Sequence, residues 1–161
     1  MKQFFVLLFA ISVMACSGGG DPAPTPTPTP PTPTVNVATL VKKVWSANSV
    51  QWDGVTKYDK TSTSNVVQGY SQYKLDLSTA GSVTLTEFDG KIFTGTYTVA
   101  TDGNSLTLSG LTSAEGAPTG TGGTIVYSIL STPTATGLSL QQSTAYVKAS
   151  SAIVKLALVN P

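Results

Sequence analysis

The sequence predicts an all-β domain, closed as an eight-stranded antiparallel up-and-down barrel. Three observations carry this. From residue 35 onward the chain alternates apolar and polar residues in eight short runs, the period of a strand with one buried face. Most links between successive runs are short, as in an antiparallel meander. Only 11% of residues are charged, well below the roughly one quarter typical of soluble domains, so Ser, Thr and Gly must cover the surface.

The runs follow in order. Residues 37–44 (VATLVKKV) allow one short helical turn ahead of Trp45. The first strand is 45–53, with both tryptophans. The second is 70–78, placing Tyr73, Leu75 and Leu77 on one face. The third is 82–87, with Val83 and Leu85 inward. The fourth is 91–99, with Phe93, Tyr97 and Val99 on one face and threonines on the other. Gly95 interrupts it and suggests a bulge. The fifth is 104–109 (Leu106, Leu108), the sixth 124–131 (Ile125, Tyr127, Ile129), the seventh 137–142 (Leu138, Leu140) and the eighth 152–159 (Val154, Leu156, Leu158). Asp89-Gly90 and Asp102-Gly103 are hairpin signals, because both residue types tolerate the positive φ of a type I′ turn; Asp53, before Gly54, also reads as a turn former. Closure removes every exposed edge. An immunoglobulin-like β-sandwich is the alternative, since the links after the first and fifth strands are long enough to cross between sheets.

The N-terminus reads as an address. Lys2 precedes the apolar run Phe4-Phe5-Val6-Leu7-Leu8-Phe9-Ala10-Ile11, about half the roughly 20 residues a bilayer span needs. The segment ends Val13-Met14-Ala15-Cys16, and Cys16 is the single cysteine, so no disulfide within the chain exists. These residues resemble the bacterial lipobox. The resemblance implies that residues 1–15 are a lipoprotein signal peptide, that cleavage falls before Cys16, and that Cys16 carries the lipid. Two or more acyl chains anchor stably, at about 0.8 kcal/mol per buried CH₂. Ser17 follows the cysteine where inner-membrane retention would place Asp, which favours a cell-envelope location on the outer membrane. Residues 16–34 then form a Gly- and Pro/Thr-rich tether. Its 21–34 stretch (DPAPTPTPTPPTPT) is expected in polyproline II, a spacer of about 40 Å at ~3.1 Å per residue. The β-domain is 35–161.

Charge and composition exclude several functions. All nine basic residues are Lys, balanced by eight acids, which leaves no basic footprint for nucleic acid. Histidine is absent, which removes imidazole bases, Ser-His-Asp triads and His metal sites. Ser71-Gln72-Tyr73-Lys74 matches S-x-x-K, but on a strand residues three apart face opposite ways. Neither an enzyme, a cofactor nor a metal is expected.

Within the β-domain, Trp45, Tyr73-Lys74-Leu75-Asp76-Leu77, Phe88-Asp89-Gly90, Phe93-Thr94-Gly95-Thr96-Tyr97 and Asp102-Gly103-Asn104-Ser105-Leu106 occur in that order. This pattern resembles the small lipocalin-like lipoproteins of Bacteroidetes over most of 45–159. The Gly-x-Trp of true lipocalins is replaced by Lys43-Val44-Trp45. The resemblance implies the barrel more than it implies a ligand.

Strand parity places links 54–69, 88–90, 110–123 and 143–151 at one end, three of them long, and the chain entry at the other. Loops on a rigid scaffold commonly bind, so the long-loop end is the expected site of a small apolar or glycan ligand. Trp45, Tyr73 and Tyr97 read as core. Trp52 and Tyr58 border the first long link and are the candidate ligand-binding residues. The alternative is a structural or interaction protein of the envelope with a solid barrel core.

Overall fold

The computed structural model describes residues 35–161; the signal segment 1–15, Cys16 and the tether 16–34 lie outside the described residues. A single helical turn, α1 (Val37–Leu40), is capped by the Asn36 side chain accepting from the Thr39 amide. Nine strands follow: β1 (Val44–Trp52), β2 (Val55–Asp59), β3 (Lys74–Asp76), β4 (Ser82–Thr86), β5 (Ile92–Val99), β6 (Ser105–Thr112), β7 (Ile125–Ile129), β8 (Gly137–Gln142) and β9 (Val154–Val159). From β3 to β9 each strand pairs antiparallel with the next, β9 pairs back onto β1, and β1 pairs with β3. Strands β1 and β3–β9 therefore close an eight-stranded up-and-down barrel, the lipocalin-like architecture. The sandwich alternative fails because the strand order is consecutive and the sheet closes on itself.

The inward faces expected from alternation are buried, except that Val99 and Ile129 at the strand ends are only partly so. Leu75, Leu106, Leu108 and Leu140 are fully buried, and Val83, Leu85, Leu138, Leu156 and Leu158 nearly so. The chain-entry end is sealed by Val41 and Trp45, whose indole Nε1 donates to the Val41 carbonyl at 2.8 Å, and by Tyr97, whose hydroxyl donates to the Leu77 carbonyl at 3.1 Å.

Two expectations are corrected. The first link is not a plain loop: it contains β2, which pairs with β1 at Ser49–Trp52, beyond the Val44–Ser46 stretch that pairs with β3. Asp53 and Gly54 join β1 to β2, and both have positive φ, 48° and 81°, as a type I′ turn requires. The second strand begins later than expected, at Lys74, because Gln68–Gln72 form a 3₁₀ turn. That turn brings the Gly69 backbone against Phe88: a Cβ there would lie 2.0 Å from the Phe88 carbonyl oxygen. Ser71 of the S-x-x-K match thus sits on a 3₁₀ turn and Lys74 on a strand.

The turn chemistry is also redistributed. At Asp89-Gly90 and Asp102-Gly103 only the glycine is left-handed, and the Gly90 and Gly103 amides donate to the Glu87 and Ala100 carbonyls at 2.9 Å. These are type I turns followed by a left-handed glycine. The bulge expected at Gly95 is present, but the extra residue lies opposite, in β6. Thr94 pairs with Thr112 and Thr96 with Ser109, so Gly110 and Leu111 face the single residue Gly95, and Gly110 takes a φ of 62°.

A Cβ on Gly95 would stand 2.6 Å from the Ser109 carbonyl oxygen, a clash with backbone. Gly95→Ala should therefore lower the unfolding free energy by about 2 kcal/mol. Gly81→Ala, at a positive φ in open space, should cost about 1 kcal/mol. Urea denaturation of both variants checks the order.

Candidate functional site

The four links of the long-loop end interlock. Gln72 Nε2 of the first link donates to the Phe88 carbonyl of the second at 3.0 Å. Lys91 pairs with Glu115, joining the second to the third. Gly120 of the third lies against Val147 of the fourth. Asp53 ties the first to the fourth, its Oδ1 accepting from the Ile153 amide at 2.9 Å. The opposite end holds the chain entry, where Val37 packs against Gly103 in the link between β5 and β6. The chain therefore enters at the end opposite the long links, as strand parity predicts.

The structure brings Trp52 and Tyr58 into one aromatic cluster around Tyr70. Trp52 Nε1 donates to the Tyr70 hydroxyl at 3.0 Å, and the two rings meet edge-on with centroids 6.5 Å apart. Tyr58 and Tyr73 stand 6.2 and 6.0 Å from Tyr70, and Phe88 4.8 Å. Such pairs contribute roughly 0.5–1.5 kcal/mol each beyond their buried area. Tyr58 is only 4% exposed, so its ring faces protein. Trp52 is half-buried, with the Lys57 ammonium 5.7 Å from its ring centroid. Trp45, Tyr73 and Tyr97 are core, as expected.

Sequence reasoning missed a polar group beneath these links. Glu87 is 2% exposed. One of its carboxylate oxygens accepts from the Tyr146 hydroxyl and the other from the Lys148 ammonium. Lys148 also pairs with Asp89 at 2.7 Å. Both Glu87 oxygens are thus engaged, as a buried carboxylate requires. The group ties the fourth link to the turn between β4 and β5. A signal for it exists: Val83, Leu85 and Glu87 share one strand phase, as do Leu138, Leu140 and Gln142, so alternation extended by two residues carries both polar side chains inward.

Burial raises the Tyr146 hydroxyl far above its ordinary value, and the carboxylate of Glu87 raises it further. Burial likewise pushes the Tyr127 hydroxyl up to about 12; it lies 3.5 Å from the Tyr73 hydroxyl. Burial lowers Lys148, but its hydrogen bonds to Asp89 and Glu87 outweigh this and leave it raised. Burial raises Asp89, and the hydrogen bonds from Lys148 and the Lys91 amide outweigh that and leave it lowered.

The barrel interior is filled. A cavity of about 10 Å³ remains among Tyr70, Tyr73, Glu87, Tyr127, Gln142 and Tyr146, the size of one water. Gln142 is buried there, and its Oε1 has no hydrogen-bond partner among the described residues. Outside the wall, a groove of about 370 Å³ runs along the rim between β7 and the fourth link.

The fold and rim together define a filled, lipocalin-like barrel with its elaboration at one end. Among solved structures, the chain is similar to a lipocalin-like protein from Bacteroides uniformis ATCC 8492, with a TM-score of 0.48 and 14% identity over 76% of this chain and 99% of that one. It is also similar to an uncharacterized protein from Bacteroides eggerthii DSM 20697, with a TM-score of 0.44 and 12% identity over 74% of this chain and 98% of that one. No family model and no curated protein matches the sequence.

Lys148→Met leaves Glu87 buried without its cation and should destabilise by about 3 kcal/mol. The pH dependence has a defined sign. Asp89 is lowered from 3.8, so its stabilisation is present above that value and lost as pH falls through the folded value. Lys148 is raised from 10.5, so its contribution is present below that value and lost as pH rises through the folded one. Thermal unfolding should show Asp89→Asn reducing the slope of the acid limb of the midpoint curve and, because Asp89 is one of the two carboxylates that raise Lys148, reducing the alkaline slope as well.

Proposed function

We propose that the protein is a non-enzymatic envelope lipoprotein, held on the outer membrane by lipid on Cys16, whose β-domain is a filled scaffold presenting its long-loop end to partners. The observation that carries this reading is the interior. Its own Leu, Val, Trp and Tyr side chains leave about 10 Å³ free, far below the several hundred Å³ of a small-molecule site. A lipid-sized apolar ligand does not fit inside without displacing core residues. The long-loop end, by contrast, bears four exposed large apolar residues, Val55, Val66, Ile92 and Val147. Four of the six exposed large apolar residues among the described residues lie at this end, which favours interaction there.

Two measurements test the reading. In a bacterial host fed an alkyne-tagged palmitate, the wild-type chain should become labelled and fractionate with membrane, and Cys16→Ser should do neither; equal labelling of both would sink the anchor. Titration of the purified protein with a fluorescent fatty acid should give no saturable binding. Stoichiometric binding that quenches Trp52 would replace the scaffold by a carrier.

A further inference from the structure

We infer that residues 144–152, in the link between β8 and β9, form a lid that swings as one body off the mouth of the barrel and bares the polar floor beneath it. The inference rests neither on the lipid anchor nor on the scaffold reading.

The lid is defined by where its hydrogen bonds go. Among the described residues, every backbone hydrogen bond made by 144–152 closes on the segment itself. The Tyr146 amide donates to the Ala152 carbonyl at 2.9 Å, and the Ala149 and Ser151 amides both donate to the Tyr146 carbonyl at 2.9 Å. The Ala152 amide donates to the Ala149 carbonyl at 3.0 Å. The corner that returns the chain is strained: Ser150 and Ser151 both hold positive φ, 56° and 60°, a conformation that persists only where the surrounding bonds enforce it. Backbone attachment to the barrel lies at the two ends. The Ser143 amide donates to the Val126 carbonyl at 2.9 Å. The Asp53 amide donates to the Ile153 carbonyl at 3.0 Å, and the Ile153 amide donates to Asp53 Oδ1 at 2.9 Å. A segment built this way keeps its shape when it moves, and its ends are the hinges.

Between the hinges, side chains alone hold the lid down. Its residues divide by face: Ala145, Val147, Ser150 and Ser151 are exposed, whereas Tyr146, Ala149 and Ala152 are buried. Tyr146 donates to Glu87, and Lys148 pairs with Glu87 and Asp89, its ammonium 5.7 Å from the Phe93 ring centroid. Val147 lies against Gly120. What the lid covers is polar. Tyr146 shares the cavity of about 10 Å³ with Tyr70, Tyr73, Glu87, Tyr127 and Gln142. Opening a strand ladder breaks backbone bonds, whereas this segment lifts by releasing Tyr146, Lys148 and Ala149. It therefore opens at lower free energy than the barrel unfolds. Lifting it withdraws the Tyr146 ring and brings the Glu87 carboxylate and the Gln142 amide to solvent.

Thiol labelling tests the lid. The full chain carries Cys16→Ser, which removes the single cysteine. In that chain Ala149→Cys places a thiol on the lid's underside, and Ala47→Cys places one in the barrel wall; the two alanines are 0% and 4% exposed. Reaction with a chromogenic disulfide reagent is followed at increasing urea, below the unfolding transition. The thiol at position 149 should react more slowly than free cysteine and faster than the thiol at position 47. Its rate should barely change with urea, because lifting the lid exposes little surface, whereas the rate at position 47 should climb steeply, as global unfolding does. Adding Lys148→Met should speed reaction at position 149 by roughly tenfold or more and leave it insensitive to urea. Ala152→Cys, on the same underside at 6% exposed, repeats the measurement if Ala149→Cys does not fold. A lid thiol whose rate follows urea in parallel with position 47 would overturn the inference, because the link would then open only with the barrel. A rate unchanged by Lys148→Met, or one equal to that of free cysteine, would overturn it as well.

Discussion

Closure through β1 is the constraint on which the rest depends. A barrel forms only if one strand pairs along both edges, and β1 does so with β9 on one side and β3, then β2, on the other. A straight nine-residue strand cannot follow both partners, so its register shifts between Ala47 and Ser49 against β9, and between Val50 and Gln51 against β2. Asn48, the residue skipped in the β9 register, turns its carbonyl to accept from the Lys60 amide at 2.8 Å. Bulges of this kind bend a strand and increase its twist. The bend also frees an edge: once β3 ends, β2 pairs with Ser49–Trp52 and covers most of what remains.

Closure at eight strands also fixes the interior diameter, which is just wide enough for side chains to meet. The filling is unusually aromatic. Trp45, Tyr70 and Tyr127 are among the largest fully buried residues, and each carries a polar tip that must be matched inside a low-dielectric core. The matches are mutual or with backbone: Trp45 on the Val41 carbonyl, Tyr70 on Trp52, Tyr127 beside Tyr73, and Tyr146 on Glu87. Glu87 can be buried because Lys148 comes with it. A volume filled in this way leaves about 10 Å³, beside the unmatched Gln142 Oε1.

The barrel was legible because its strands obey one rule. Period-two alternation identified the inward residues of eight strands, and parity then placed the long links together. What was missed has specific causes. Strand β2 (VTKYD) places only Tyr58 in the core, so it shows almost no alternation; its mark was the Asp53-Gly54 pair, the type I′ signal given less weight than Asp89-Gly90. The 3₁₀ turn at 68–72 depends on Gly69 meeting Phe88, a contact between distant residues that no local pattern encodes. Glu87, Gln142 and Lys148 were passed over because polar residues at strand ends and in loops ordinarily face water. Trp52 and Tyr58 were correctly read as neighbours of one loop, but their partner Tyr70 lay in a segment read as strand.

Tyr146 divides the rim into two regions of opposite character. On one side its hydroxyl meets Glu87, and with Asp89, Lys91, Glu115 and Lys148 this region holds three carboxylates and two ammonium groups engaged largely with one another. On the other side the groove is uncharged. The separation has a physical consequence. Buried paired charges are costly to break, so Glu87, Lys148 and Asp89 serve as the clasp that holds the fourth link closed, while the exposed Lys91–Glu115 pair adds little. The neutral region presents hydroxyls to water and takes no part in that clasp.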